Sequence, residues 1–173
     1  MIDPLEFKNI LKNRSIIFFS GVPDSCCLEL CKSIEEDKKI ENIVAANEGN
    51  AVALGLGYYL STGKIPCIYL QNSGLGNATD PLTNLCNKEV YNIPILLIIG
   101  WRGAPGIKDE AQHIVQGKTL LNTLKSYNIP NIQLKNKINK KKILNLLKKI
   151  KQKSIIGAIL VKPKTFLKFK SKS

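Results

Sequence analysis

The sequence predicts an α/β protein whose parallel sheet is flanked by helices, and two observations lead to that fold class. First, runs such as IPILLIIG (93–100) and SIIGAILV (154–161) are apolar throughout and lack the alternation of strands that face water on one side. Second, segments with helical character separate these runs, an order typical of parallel sheets covered on both faces. A chain of 173 residues can bury a substantial core. No repeat or linker divides it, so we treat residues 1–173 as a single domain.

Six segments are predicted to be strands, and IPILLIIG (93–100) is fully apolar. In chain order they are SIIFFSGVPDS (15–25, which ends in a Gly-Pro turn), NIVAA (42–46), KIPCIYLQ (64–71), IPILLIIG (93–100), NIPNIQL (128–134) and SIIGAILV (154–161). The segments between them predict helices over 3–13, 26–37, from about 48 onwards, 81–89, 118–127 and 139–152. Asp24 or Ser25 can cap the second helix, because a short side-chain oxygen can accept a bond from the first free N–H groups. Two stretches predict loops, NSGLGN (72–77) and WRGAPGIKDEAQH (101–113).

The net charge of +13 arises near the end of the chain. Residues 1–110 contain 10 basic and 13 acidic residues, whereas residues 111–173 contain 16 lysines and no acid. In KKILNLLKKIK (141–151) the apolar residues recur at helical spacing, so the lysines there form the solvated face of a packed helix. Nucleic-acid-binding modules add aromatic or arginine side chains to such a face. We therefore expect no nucleic-acid partner.

The cysteine and histidine content favours a cytoplasmic protein without a metal centre of its own. The five cysteines (Cys26, Cys27, Cys31, Cys67 and Cys86) form no CxxC pair, and with no secretory signal they indicate reduced thiols that pack in the core. His113 is the single histidine, so a multi-histidine metal site is excluded. No apolar run reaches the roughly 18 residues of a membrane span. The first residues also lack the basic start and apolar run of a signal peptide.

Unusual residues follow four of the predicted strands. They occupy Gly21–Ser25, Asn47–Gly49, Asn72–Asn77 and Trp101–Gln116. The carboxyl ends of parallel strands lie at one edge of a sheet, and ligands of open α/β proteins bind beyond that edge. The sequence therefore predicts a ligand site built from these four segments.

Glu48 is the main candidate within that site. Asn47 can cap the helix, and the dipole favours a carboxylate in the first turn, so a structural role alone would explain the pair. However, Glu48 lies in AANEGNAVALGLGYYL, where small and apolar residues leave little to solvate a charge. A carboxyl shielded in this way can exchange a proton during catalysis, and its small neighbours let a flat ring approach closely.

Three further features leave alternatives open. NSGLGN is rich in glycine but matches neither GxGxxG nor the P-loop pattern, so it is either a tight turn or a ligand-binding loop. His113 ends a charged loop and is either structural or catalytic. Arg102 suits a doubly charged anion, or it forms an ion pair with Asp109 or Glu110.

Several of these segments together resemble the amino-terminal half of phosphonopyruvate decarboxylases. They are GVPDS, AANEGNAVALGLGYYLSTGKIP, QNSGLGN, KEVYNIPILLIIGWRGAPGIKDEAQHIVQGK and AILVKPKTF. The alpha subunit of sulfopyruvate decarboxylase is similar mainly in QNSGLGN and in overall layout. The resemblance covers essentially the whole chain and implies the pyrimidine-binding domain of enzymes that depend on thiamine diphosphate.

The resemblance implies a role for each candidate residue. Glu48 would bond N1′ of the cofactor's aminopyrimidine, with Asp24 and His113 in proton transfer and substrate orientation. The cofactor-binding loop would contain Gln71, Asn72, Gly74 and Asn77 beside Glu48. Arg102 and Lys108 would contact the substrate phosphonate. The implied reaction converts 3-phosphonopyruvate, a small 2-oxo acid, into phosphonoacetaldehyde and carbon dioxide.

The resemblance also implies a partner. Thiamine enzymes hold the diphosphate through Mg²⁺ in a second domain that carries a GDG motif followed by an Asn pair, and this sequence contains no GDG. We expect a beta subunit to supply that domain within a homo- or hetero-oligomer. Three alternatives remain open at this point: a sulfopyruvate decarboxylase alpha subunit, a non-catalytic scaffold of the same fold, and a nucleic-acid binder that uses the basic end of the chain.

Overall fold

All strands of the sheet run in the same direction, which confirms the predicted fold class. The computed structural model describes residues 1–171. Its strands are β1 (Phe18–Gly21), β2 (Glu41–Val44), β3 (Cys67–Gln71), β4 (Ile95–Gly100), β5 (Asn131–Gln133) and β6 (Ile156–Val161). They pair in parallel in the order β2-β1-β3-β4-β6-β5. The order reverses between β1 and β3, so the segments that follow these two strands flank the point where α/β sheets bind ligands.

Helices cover both faces of the sheet. They are α1 (Pro4–Lys12), α2 (Leu28–Glu35), α3 (Glu48–Thr62), α4 (Leu75–Asp80), α5 (Ala111–Ser126) and α6 (Lys140–Lys153). A single 3₁₀ turn (Asn72–Gly74) leads from β3 into α4, and a π-helical turn (Pro81–Leu85) follows α4. Among residues 1–171 no helix has both the length and the apolar character needed to cross a bilayer.

The core consists of two layers, one on each face of the sheet. Successive strand residues point to opposite faces, so Tyr69 packs in the layer of α1, α2 and α6, whereas Ile68 and Leu70 pack in the layer of α3, α4 and α5. The central strand β4 is buried along its whole length. Each large apolar side chain buried in this way stabilises the fold by roughly 1.5–3 kcal/mol. The sheet edge that carries the site therefore rests on a rigid support.

Local signals set the ends of α3. The Asn47 side chain accepts a hydrogen bond from the backbone N–H of Asn50 at 2.9 Å, which confirms the predicted N-cap. Gly63 ends the helix in the left-handed conformation, with φ of +67°, which glycine adopts without strain. For α2 the expected cap was wrong. The N-cap residue is Cys27, and no side chain caps it, because Asp24 Oδ1 instead bonds the backbone N–H of Cys26.

Other predicted boundaries also differ from the structure. NSGLGN is helical rather than a loop, because Leu75 and Ala78 recur at helical spacing and bury their side chains. The helix expected over 81–89 is only the short π-helical turn. Helix α5 begins at Ala111, seven residues before the expected start, so His113 lies in its first turn and not in a loop. In α6 the apolar face is buried and the lysines are exposed, as predicted.

Candidate functional site

The Glu48 carboxyl is buried and held in place by a neighbouring element. Helix α3 begins at Glu48, and the residue is only 9% exposed. Asn77, on α4, donates a hydrogen bond from Nδ2 to Glu48 Oε2 at 2.8 Å. Within residues 1–171 no donor reaches Oε1. The carboxyl therefore has one fixed oxygen and one oxygen free to bond a ligand.

Two glycines allow this close approach of α3 and α4. A Cβ atom on Gly74 would overlap Oε1, Cδ and Cγ of Glu48. A Cβ on Gly49 would lie 2.8 Å from the backbone oxygen of Asn77. Because both positions carry only hydrogen, the start of α3 packs directly against the segment that follows β3.

Asn72 connects the ends of β3 and β4. Its Nδ2 donates to the backbone oxygen of Arg102 at 3.0 Å, and its Oδ1 accepts from the Arg102 N–H at 3.1 Å. The side chain is buried and both ends of its amide are satisfied. Gln71 donates to the Ser73 hydroxyl at 2.7 Å. The Asn72 amide is therefore engaged at both ends by the Arg102 backbone, whereas the Gln71 oxygen has no partner among residues 1–171.

Asp24 lies against the end of β4. A Cβ on Gly100 would overlap the Asp24 carboxyl, so that carboxyl sits on the strand backbone. Oδ1 accepts the Cys26 N–H at 2.5 Å, whereas Oδ2 is buried and has no partner among the described residues. Burial raises the pKa of Asp24, and the hydrogen bond from the Cys26 backbone opposes the rise only in part.

Arg102 forms the ion pair that the sequence left as an alternative. Its guanidinium donates to both oxygens of Asp109, at 2.8 Å from Nε and 2.5 Å from Nη2. Its Nη1 donates to the Ser25 hydroxyl at 2.9 Å. The Arg102 hydrogen bonds lower the pKa of Asp109 well below its usual range. This cluster joins the loop after β1 to the loop after β4.

The segment between β4 and α5 packs tightly on the helix. Gly103 has φ of +65°, and a Cβ there would overlap the backbone oxygen of His113. A Cβ on Gly117, one turn further along α5, would overlap the carbonyl of Gly103. The Trp101 indole donates to the Gly117 oxygen at 2.8 Å. These contacts fix the first turn of α5, where the half-buried His113 lies.

The predicted site residues thus fall into two groups at the same sheet edge. Glu48, Gly74 and Asn77 are in contact, and Asp24 lies beside the Arg102–Asp109 pair through the neighbouring Ser25. Asn72, two residues before Gly74, connects the groups through its two bonds to Arg102. Lys108 is exposed and forms no ion pair with any described residue. The ring of His113 accepts and donates no hydrogen bond within residues 1–171.

The cysteines pack in the core, and two of them, Cys26 and Cys27, also lie next to the Asp24 carboxyl. All five are buried and unpaired within residues 1–171. Burial raises the pKa of Cys31 to about 12, so its thiol is protonated at neutral pH. No cluster of three or more His, Cys, Asp or Glu side chains suited to a metal occurs in this part of the chain.

Sequence reasoning missed several supporting residues. The sequence places Ser25 in a candidate segment but does not predict its bond from Arg102, and it marks Gly100 as no more than a strand end. The tight contact between Gly103 and Gly117 joins positions 14 residues apart in the sequence, so no local pattern could predict it. The signal available for Gly103 is glycine itself within a predicted loop, because glycine adopts left-handed backbone without strain.

A parallel sheet with polar side chains gathered beyond the ends of β1 to β4 defines a ligand-binding α/β domain. Comparison with known families assigns it further. The model described as "Thiamine pyrophosphate enzyme, N-terminal TPP binding domain" matches residues 7–125, so the chain belongs to this family.

Curated relatives include decarboxylases of two kinds. Phosphonopyruvate decarboxylase of Streptomyces hygroscopicus is 40% identical over 108 residues, which are 62% of this chain and 26% of the relative. Sulfopyruvate decarboxylase subunit alpha of Methanocaldococcus jannaschii is 42% identical over 99 residues, 57% of each chain. The same subunit of Methanococcus maripaludis is 33% identical over 124 residues, 72% of this chain and 71% of the relative. The matched region is thus about a quarter of the phosphonopyruvate decarboxylase and a larger share of the alpha subunits.

A solved structure shares the fold. Thiamine diphosphate-dependent 4-hydroxybenzoylformate decarboxylase of Rhodococcus jostii RHA1 superimposes with a TM-score of 0.71 at 16% identity. The match covers 97% of this chain and 31% of that protein. The six-stranded parallel architecture is therefore shared with one part of a thiamine diphosphate enzyme.

Proposed function

We propose that this chain is the pyrimidine-binding part of a thiamine diphosphate-dependent 2-oxo acid decarboxylase that converts 3-phosphonopyruvate into phosphonoacetaldehyde and carbon dioxide. The observation that carries the proposal is the Glu48 carboxyl. It is buried at the sheet edge and fixed through one oxygen by Asn77, and no donor among residues 1–171 reaches the other oxygen. Such a carboxyl suits a partner that both accepts and returns a proton.

The residues at this edge fit the aminopyrimidine of thiamine diphosphate. Gly74 has no side chain that would displace the Glu48 carboxyl, and no donor among residues 1–171 bonds Oε1, so this oxygen is available to a ring nitrogen. When bound, the cofactor supplies the group that accepts the electron pair released with carbon dioxide. The task of Glu48 is to hold or release a proton at N1′ of that ring, while Asn77 keeps the carboxyl in position.

Asp24 and His113 are proposed to act on the substrate side. Because burial raises the pKa of Asp24, this carboxyl retains a proton at higher pH than an exposed aspartate does. Its unpartnered Oδ2 is a suitable proton donor or acceptor. His113 lies in the first turn of α5, which Gly103 and Gly117 hold in place, and would orient the substrate.

Arg102 and Lys108 are the proposed contacts for the phosphonate. The charge of Arg102 is compensated by Asp109, so its net attraction for a dianion is reduced. It can still offer Nη1 if it releases the exposed Ser25 hydroxyl. Lys108 is exposed and has no carboxylate partner within the described residues, so it keeps its full charge for an incoming anion.

The remaining half of the site is proposed to come from a beta subunit that binds the diphosphate through Mg²⁺. The surface along α3 is suitable for such a contact, because Leu54 and Leu60 on this helix and Val44 at the end of β2 are exposed although apolar. Helix α3 has a single charged side chain, Glu48 itself. A homo- or hetero-oligomer in the cytoplasm, where the buried thiols stay reduced, is consistent with these features.

Sulfopyruvate is the second candidate substrate. The chain covers 57–71% of three sulfopyruvate decarboxylase alpha subunits but 26% of the phosphonopyruvate decarboxylases. The first substrate is preferred because WRG and KDE near the site match the phosphonopyruvate family. A direct competition between the two 2-oxo acids in one assay separates them.

The test requires the chain and its partner together. We would co-purify it with a candidate beta subunit that contains a GDG motif, and measure carbon dioxide release with thiamine diphosphate and Mg²⁺. Glu48→Gln should lower turnover by roughly 10²–10⁴-fold, the usual contribution of a positioned proton-transfer group. Glu35→Gln, an exposed carboxylate on α2, is the matched control and should leave turnover unchanged.

Two results would contradict the proposal. Turnover of Glu48→Gln close to that of the native complex would remove Glu48 from its role. A folded complex that binds thiamine diphosphate but releases no carbon dioxide from either acid would favour a non-catalytic scaffold.

A further inference from the structure

A cavity far along the sheet from Glu48 lies beyond the carboxyl ends of β5 and β6. Its volume is about 880 Å³, within the range of small-molecule sites. Five lysines line it: Lys135, Lys137, Lys142, Lys162 and Lys164. None of the residues that line it is acidic. We call it the β5–β6 cleft.

The positive charge of the cleft is uncompensated. None of the five lysines forms an ion pair with any residue in 1–171. The sequence contains no acidic residue after Glu110, so the segment 132–165, which forms most of the cleft, has no carboxylate of its own. Like charges that line one concavity repel one another and focus a positive potential into it. The cleft therefore favours a ligand that carries several negative charges.

The start of α6 increases this potential. Lys140, Lys141 and Lys142 occupy its first turn, and no acidic residue accompanies them. The positive end of the helix dipole lies there, and it normally favours acidic side chains. Departures from a local preference that have no structural compensation are expected at functional positions.

The floor of the cleft is apolar. Leu134 and Ile143 are buried, and Ile132 and Ile138 are half-buried beside them. All four line the cavity. Lysines whose role is limited to solubility would not require apolar side chains at the base of a cavity. The combination suits a ligand with a carbon skeleton on the floor and anionic groups at the lysines.

From this arrangement we propose that the β5–β6 cleft binds a small phosphorylated organic molecule of the nucleoside diphosphate type. Its phosphates contact the lysine rim, and its base or sugar covers the apolar floor. The site is separate from that of Glu48, and the proposal does not depend on the decarboxylase function.

A tryptophan next to the cleft can report binding, through Lys162. Lys162 Nζ lies 5.1 Å from the centre of the Trp101 ring, and Trp101 is the single tryptophan of the chain. A phosphate that attracts Lys162 changes the charge over the indole. Ile107, which belongs to the same loop as Trp101, also lines the cleft. Binding is therefore expected to change the tryptophan emission.

The experiment titrates the full chain, without thiamine diphosphate, with ADP and follows Trp101 emission. Lys135→Gln/Lys142→Gln/Lys164→Gln should weaken ADP binding by about tenfold, since three charged contacts are lost, each modest because the side chains are exposed. Lys125→Gln/Lys149→Gln/Lys153→Gln removes the same charge from exposed positions outside the cleft. This control should bind ADP within about twofold of the native chain. Matched unfolding transitions verify that both variants are folded, and Lys142→Gln alone replaces the triple variant if it is not.

Several outcomes would overturn the inference. One is the absence of a saturable change in Trp101 emission up to about 1 mM ADP. Another is an equal change with inorganic phosphate or with adenosine. The third is that the control variant loses as much affinity for ADP as the cleft variant does. Displacement of ADP by a duplex oligonucleotide at lower concentrations than ADP itself requires would assign the cleft to nucleic acid instead. Weakening of ADP binding with rising salt is expected in the native chain, because partly exposed charge pairs are screened.

Discussion

Replacing Gly74 with alanine should displace the Glu48 carboxylate while leaving it in the chain. The added Cβ would overlap Oε1, Cδ and Cγ of Glu48, so the side chain must rotate away. Rotation breaks the 2.8 Å hydrogen bond from Asn77. The variant therefore tests the position of the carboxyl rather than its presence.

The expected magnitude follows from two opposing terms. Gly74 has φ of −67° and ψ of −12°, which alanine adopts easily, so restriction of the unfolded chain stabilises the variant by about 0.4–1 kcal/mol. A partly buried hydrogen bond to a carboxyl contributes about 1–2 kcal/mol, and this is lost. Gly76→Ala provides the matched control, because its Cβ would meet nothing within 4 Å. Gly76→Ala should gain the stabilisation from restriction of the unfolded chain and lose no hydrogen bond.

Thermal unfolding separates the two variants. Gly74→Ala should unfold about 2–8 °C below Gly76→Ala, at 2–4 °C per kcal/mol for a chain of this size. In an Asn77→Ala background the hydrogen bond is already absent, so most of the difference should disappear. Equal unfolding temperatures for Gly74→Ala and Gly76→Ala would refute the proposed contact between α3 and the segment after β3.

Two further substitutions test the loop after β4 and the ion pairs of α1. Gly103→Ala should lower the free energy of unfolding by about 2–4 kcal/mol, because the left-handed backbone strains alanine and its Cβ overlaps the His113 carbonyl. Gly106→Ala should lower it by only about 1–2 kcal/mol, because Gly106 has the left-handed strain but no overlap. Equal losses of unfolding free energy for the two variants in urea would contradict the packing of Gly103 on α5. Partial burial opposes ionisation of Asp37, but hydrogen bonds from two lysines of α1 outweigh it and lower its pKa to about 2. Its contribution is therefore present above the unfolded value of 3.8 and lost as pH falls towards 2. Asp37→Asn should lower the free energy of unfolding by about 1–2 kcal/mol above pH 4, and this free energy should then fall less steeply as the pH drops from 4 to 2. Glu36→Gln, at an exposed position, should change neither the free energy nor its dependence on pH.

The strands and the exposure of the α6 lysines could be predicted, because both depend on the order of apolar and polar residues within a short segment. A strand buried on both faces must be apolar throughout, and β4 and β6 have that composition. The lysines of α6 alternate with buried apolar residues at helical spacing. In contrast, Asn72–Asn77 was interpreted as a loop because its glycines and asparagines are common in turns. The helical spacing of Leu75 and Ala78 was the available signal, and their burial decides the conformation.

The site was predictable only in part. Burial of Glu48 followed from its small neighbours, and the structure confirms it. The contact with Asn77 joins residues 29 positions apart and depends on how α3 crosses the sheet, which sequence spacing does not reveal. The choice between substrate contact and ion pair for Arg102 likewise depended on the fold of its loop, which brings Asp109 to the guanidinium.

The contact between Gly103 and Gly117 has a consequence for sequence divergence. Each glycine faces backbone rather than a movable side chain, so neither position can accept a Cβ even if the other has changed. Mutation at one cannot be compensated at its counterpart, and both should persist in descendants that have lost every catalytic group. Their invariance in any future alignment would record the geometry of the turn into α5. It would carry no information on whether the descendant is still an enzyme.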